Sequence, residues 1–305
     1  MPQAMEKLSA EAMRKLYAES PERLREELRA LSPAAIAAML ADLRDPEMAL
    51  KVLALLEDEK SGEVLLELPE VVRREILRQV DAATLSRWAE ALSSDDAADL
   101  LLEAEPLLVR EVLARIRPSE RREIESLLRY GEETAGGLMQ AELFKVRADW
   151  TVGRVIEVLR RWGRGIENLN YVYVVDDDDR LVGVLPLVQL LVHDPNENIA
   201  AIADRSFPRV SVGQDQAEVA RLFEEHDVLV MPVVDEQGRL VGRITADDII
   251  DVVQDEATED IYRLAHLSDE DDLAEPVPTT ARRRSVWLFV NLITAILASS
   301  VVRLF

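Results

Sequence analysis

Over roughly the first 130 positions, apolar residues recur at three- and four-residue steps, the spacing that gathers them on one face of a helix. Three stretches show it best, beginning at Leu31, Leu68 and Leu92, and each opens on a polar or proline-containing turn. Ser32-Pro33 and Ser93-Ser94-Asp95 supply residue types that cap and start helices. The pattern predicts short antiparallel helices stacked as a helical-repeat, superhelical domain over 1–130. The first sixteen residues read as an ordinary amphipathic helix and lack the long apolar run of a signal peptide.

Beyond Gly131, Gly136 and Gly137 the period changes. Two units follow, each a helical stretch and then two β-branched runs around an Asp-containing turn, the signature of a hairpin. The runs start at Tyr171 and Leu181 in the first unit and at Val228 and Leu240 in the second. Val174-Val175-Asp176 and Leu181-Val182-Gly183 return as Val233-Val234-Asp235 and Leu240-Val241-Gly242, offset by 59 residues. The predicted fold class is therefore α followed by α/β: a helical-repeat domain and then a tandem β-rich module.

The last twenty residues, Val286 to Phe305, are almost wholly apolar. As a helix at ~1.5 Å per residue they span ~30 Å, one bilayer core. Arg282, Arg283 and Arg284 precede them, then Trp287. By the positive-inside rule this places residues 1–284 in the cytoplasm, with 285–305 as a transmembrane helix of the cell membrane. A buried C-terminal helix is the competing reading.

Composition narrows the chemistry. With 36 basic and 59 acidic residues the net charge is −23, which opposes nucleic-acid binding, since phosphate recognition needs a basic footprint. No cysteine is present, which removes disulfide and thiolate chemistry. The three histidines, His193, His226 and His266, lie far apart, so a metal here would be an oxygen-bound hard cation. No nucleophile–base pair supports an enzyme.

The charge is concentrated. Between Thr245 and Glu275 stand twelve acids and one arginine. At ~100° per residue, Asp248, Asp251, Asp255 and Glu259 share one helix face, while Ile249, Val253, Ala257, Ile261 and Leu264 share the other. Such a stripe is either a solvated acidic face or a repulsion that a divalent cation relieves. The helical domain holds its own acids, Asp95, Asp96 and Asp99, with Glu63 further back.

Each β-rich unit resembles a CBS domain, and the pair resembles a Bateman module. In CBS domains the segment after the second strand often holds a nucleotide; here it is Gly242, Thr245 and Asp248. The resemblance implies a nucleotide such as ATP as a second candidate ligand. The first unit carries Pro186 and Gln189 at the Thr and Asp positions, which leaves one nucleotide site per chain at most.

In order, the parts resemble the cytosolic half of the MgtE-type magnesium channel/transporter. The local matches are Thr134–Met139, Val233–Val253, Asp255–Leu264 and the final eight residues. The resemblance implies an N-type helical domain at 1–130, CBS domains at 131–200 and 201–255, an acidic connecting (plug) helix at 256–284 and a first transmembrane helix at 285–305. It implies a homodimer, joined through the CBS modules, whose acids bind Mg²⁺ and close a pore. The positions matching its metal ligands are Asp248, Asp251, Glu256, Glu259 and Asp260, then Asp227, Asp95 and Asp99, with Glu63 and Asp215 less firmly aligned. The family has further membrane helices, so the expected role of this chain is sensing. A nucleotide-sensing CBS regulator of another membrane protein is the alternative.

Overall fold

The computed structural model describes residues 10–162 and 169–264. The chain divides into two units, residues 1–249 and 250–305.

Short helices fill the first part, as the apolar steps require. They are α1 (Ala10–Glu19), α2 (Pro21–Arg29), α3 (Pro33–Leu43), α4 (Pro46–Leu53), α5 (Asp58–Leu66), α6 (Glu70–Leu77), α7 (Ala82–Ala91), α8 (Ser94–Leu102), α9 (Pro106–Leu113) and α10 (Pro118–Leu127). Proline starts α2, α3, α4, α9 and α10, where its missing N–H costs nothing. Ser32, Asp45 and Asp81 cap the helices after them through their side chains. Ser93 stands at the start of α8 but makes no such bond. Packing skips a helix: α1, α3, α5, α7 and α9 form one row, and α4 meets α6 as α8 meets α10 on the other. Each helix thus buries its apolar stripe against the next repeat, and Leu65, Leu85 and Trp88 are fully buried along the row.

The second part is two copies of one motif. The first holds β1 (Lys145–Arg147), α11 (Val152–Trp162), β2 (Tyr171–Val175), β3 (Leu181–Pro186), α12 (Gln189–Val192) and α13 (Ile199–Ile202). The second holds β4 (Val210–Ser211), α14 (Gln216–His226), β5 (Val230–Val234), β6 (Leu240–Thr245) and α15 (Ala246–Leu264). The hairpin strands repeat at the 59-residue offset seen in the sequence, and both hairpins shift register before their last pair. Each sheet also has a short first strand, parallel to the second, that the sequence pattern did not announce. At two or three residues it is too short to show a period.

The sheets pair at their turns. Leu181 N–H donates to the Gly238 carbonyl and Leu240 N–H to the Asp179 carbonyl, both at 3.0 Å. Behind the turns, Tyr173, Val184, Val230 and Leu240 form a shared apolar cluster. The first β unit has its own core around Val146, Val155 and Val174. The core of the helical domain instead runs on into the second β unit, through Ala135 and Met139 to Val233 and Ile244. The helical domain therefore docks on the second β unit.

α15 is continuous through position 255, where the second CBS domain was expected to end and the connecting helix to begin. Of the described residues, 250–264 fall in the second unit. The expected transmembrane segment, 285–305, lies outside the described residues. Among the described residues no helix is long and apolar enough to cross a membrane.

Candidate metal centre

Two helix starts meet where the helical domain docks. One is α8, whose first turn carries Asp95, Asp96 and then Asp99. The other is α15, whose first turn carries Asp247 and Asp248. Acids are locally favourable at both starts because they face the positive end of the helix dipole. Thr245, only 2% exposed, donates from its N–H and its Oγ1 to Asp248 Oδ2 at 3.2 and 2.6 Å. This is the reach-back half of a capping box, and it commits one oxygen of Asp248.

Together the two starts make an electrostatic conflict. Asp95 is 6% exposed, and burial pushes its carboxyl up, with the charge of Glu142 adding to it. Burial and then the charge of Asp95 push Asp248 up to about 7. Burial and then Asp95 push Asp96 up to about 6, with Glu63 and Asp247 adding to it. Asp99 is pushed up to about 7 by the protein around it, then by Asp95 and Asp96. Its position is exposed, so solvent screens much of that effect. Asp95 Oδ1 is buried with no hydrogen-bond partner. A buried carboxylate oxygen left bare, beside further carboxylates that resist ionisation, is chemistry that a cation relieves.

Among the described residues, no three carboxylates or imidazoles converge closely enough to enclose an ion. Mg²⁺ keeps several waters and takes one or two carboxylates, so Asp95 and Asp248 fit a hydrated hard cation and not a dry cage.

The structure sorts the remaining sequence candidates. Glu63 is half-buried on α5 and lines a cleft of about 350 Å³ with Arg25, Arg29 and Lys60, while its charge still acts on Asp96. Asp215 and Asp227 stand at opposite ends of α14 with local backbone roles. Asp215 accepts from Ala217 N–H as the N-cap, and Asp227 ends the helix at φ 52°. Asp251 is exposed and Glu256 half-buried, both in the second unit. Asp248 is half-buried in the first unit, so the sequence-predicted stripe does not share one environment. Val253, assigned to the apolar face, is 52% exposed, whereas Ile249 is buried. The side chains of Glu259 and Asp260 lie outside the described residues.

The nucleotide candidates are closely packed. A Cβ on Gly242 would lie 2.6 Å from Met139 Sδ and 2.9 Å from the Gln140 carbonyl oxygen, so its missing side chain makes room for protein. Thr245 and Asp248 bond each other.

Three contributors went unnoticed in the sequence: Gln140, Glu142 and Arg243. Glu142 accepts from Ser94 N–H at 3.1 Å and Ser94 Oγ at 2.8 Å, capping α8 from the segment that follows the helical domain. Ser94 Oγ in turn accepts from Ala141 N–H at 2.8 Å. No local signal marks these residues, because a cap supplied from nearly fifty positions away has no sequence period.

Comparison with known proteins agrees with this division. The model of the MgtE intracellular N domain matches residues 31–133, and the CBS domain model matches 135–194 and 199–255. The magnesium transporter MgtE of Thermus thermophilus is 38% identical over 305 residues, covering 98% of this chain and 67% of that protein. Magnesium transporter MgtE of Enterococcus faecalis is 40% identical over 182 residues, covering 58% of this chain and 40% of that protein. This chain thus spans about two thirds of the first relative and less than half of the second. Among solved structures, the cytosolic domain of the Mg²⁺ channel MgtE in complex with ATP superposes with a TM-score of 0.72 at 40% identity. The superposition covers 80% of this chain and 99% of that one. On these matches the chain belongs to the MgtE magnesium transporter family, a family of transporters and not of enzymes.

Proposed function

We propose that this chain is the Mg²⁺-sensing cytosolic regulatory part of a magnesium channel/transporter. The observation that carries the reading is buried Asp95, with its bare Oδ1, coupled by charge to Asp248 across the seam between the helical domain and the second CBS domain. Bound Mg²⁺ would supply the positive charge that offsets this repulsion. Asp95 and Asp248 would hold it, with Asp96, Asp99 and Glu63 adding charge at the rim. Asp251, Glu256, Glu259, Asp260, Asp227 and Asp215 are proposed further ligands, through family resemblance alone. At low Mg²⁺ the carboxylates repel and favour separation of the helical domain from the CBS module. At high Mg²⁺ the docked form is favoured, the dimer formed through the CBS modules draws together, and the connecting helix at 256–284 closes the pore. Residues 285–305 are proposed as the first transmembrane helix, with 1–284 on the cytoplasmic side.

Thermal melts of the full chain in detergent test this, with millimolar MgCl₂ compared against NaCl of equal ionic strength. Mg²⁺ is expected to raise the melting temperature well beyond the salt control. Equal shifts in the two salts would sink the reading.

ATP is proposed as a second ligand, because a relative with 40% identity was solved with it. The tight packing at Gly242 argues against the Gly242–Thr245–Asp248 segment as its cradle. Calorimetry with ATP decides, and unaltered binding by Thr245→Val would place the nucleotide elsewhere.

A further inference from the structure

The segment between α10 and β1 crosses the seam in two steps. Residues 133–140 are stitched to the second CBS unit by backbone bonds. Gln216 N–H donates to the Glu133 carbonyl at 3.0 Å, Ala135 N–H to the Gln214 carbonyl at 2.7 Å and Gly136 N–H to the Val212 carbonyl at 2.9 Å. Gln140 N–H donates to the Arg243 carbonyl at 2.7 Å, and Arg243 N–H donates back to the Gln140 carbonyl at 2.9 Å. The next two residues turn to the helical domain instead. Ala141 N–H donates to Ser94 Oγ at 2.8 Å. Glu142 accepts from Ser94 N–H on Oε1 at 3.1 Å and from Ser94 Oγ on Oε2 at 2.8 Å. Ser94 is 4% exposed and stands immediately before Asp95 in the first turn of α8. A first-turn N–H has no partner within its own helix, and Glu142 meets that of Ser94.

We propose that Glu142 is a positioning residue for the metal centre: anchored on the CBS side, its carboxylate clasps Ser94 and so holds the start of α8, with Asp95 in the same turn, against the start of α15. The inference rests on the Mg²⁺ reading above. Because residues 133–140 are held to the second CBS unit, Glu142 meets Ser94 only while the helical domain is docked. The docked form is also the one in which Asp95 and Asp248 can share a cation. The clasp therefore raises the fraction of chains ready to bind Mg²⁺, and the apparent affinity follows that fraction in proportion. Losing one side-chain helix cap shifts such a balance about fivefold. Glu142 also adds its charge to that around Asp95. The group that closes the seam thus adds to the repulsion that a cation offsets.

The test titrates Mg²⁺ against the full chain in detergent, reading the midpoint of stabilisation in thermal melts and, separately, the melting temperature in EDTA. Glu142→Ala is expected to raise the Mg²⁺ midpoint about fivefold. Glu142→Gln keeps an oxygen for Ser94 N–H and gives up the charge, so it should bring the midpoint most of the way back. A lower melting temperature of Glu142→Ala in EDTA with an unchanged midpoint would mean a merely structural role and would overturn the proposal. A midpoint as high in Glu142→Gln as in Glu142→Ala would trace the effect to charge and not to the clasp, and would overturn it as well. If Glu142→Ala does not fold, Ser94→Ala removes the hydroxyl that bonds both Glu142 and Ala141. A midpoint raised several-fold is expected there, and an unchanged one overturns the proposal. Asp95→Asn and Asp248→Asn serve as controls. Should they shift the midpoint while the Glu142 and Ser94 variants do not, the positioning role fails and the Mg²⁺ reading stands. Should none shift it, the Mg²⁺ reading itself fails, and the positioning role with it.

Discussion

Asp95 shows how one residue can be costly in the fold and, under the proposed Mg²⁺ reading, useful in it. Its side chain is buried, and Oδ1 has no hydrogen-bond partner. Asp95→Asn is nearly isosteric and removes the charge. In EDTA at neutral pH it should melt several degrees higher than the natural chain, yet gain little from Mg²⁺. A lower melting temperature would mean that the carboxylate is structurally required. The same residues set a pH dependence. Asp96, Asp99 and Asp248 hold protons more tightly folded than unfolded, up to about 6 or 7. Over that window the folded state binds more protons, so stability must fall as pH rises. The opposing acids, Asp81, Asp204 and Asp235, are held below the ordinary carboxylate range and act only in stronger acid. In EDTA the melting temperature should therefore drop between about pH 5 and pH 8, and saturating Mg²⁺ should flatten the slope.

At the scale of elements, the helix starts carry the argument. Nine of the ten N-terminal helices begin after a turn that proline, a capping side chain or an acidic first turn makes legible. α8 is different, because its first N–H groups are met in part by Glu142 from the following segment. Glu142→Ala removes that cap and should cost about 1–2 kcal/mol in urea unfolding. Loss of the cap should loosen α8 where it meets the CBS module, and hydrogen exchange at Ser94 should rise with it. Gly242→Ala places a methyl against the Gln140 carbonyl. It should cost about 1–3 kcal/mol as overpacking. A neutral result would mean that the 139–140 segment is free to shift.

At the scale of the molecule, the helical domain shares its core with the second CBS domain, while the first CBS domain keeps a core of its own. A force that opens the acidic seam therefore works against that shared core. If Mg²⁺ relieves the repulsion, small-angle scattering of the full chain should show a smaller radius of gyration in MgCl₂ than in NaCl of equal ionic strength. An unchanged radius would separate metal binding from any movement of domains.

Much of this was already present in the order of residues. The three- and four-residue apolar steps are a local property of helices, so the helical domain was legible. So was the doubled hairpin, whose strands keep their 59-residue offset because each turn is specified by its own Asp-containing segment. The sequence also showed where acids are dense. It could not show which acids are buried and coupled, because burial and charge coupling depend on where helix starts meet in space. Docking of α8 beside α15 is what lets the charge of Asp95 act on Asp248, while Asp215 and Asp227 stand at the two ends of α14. It also brought in Gln140, Glu142 and Arg243, whose partners are remote in the chain and become neighbours only when the helical domain seats on the second CBS unit.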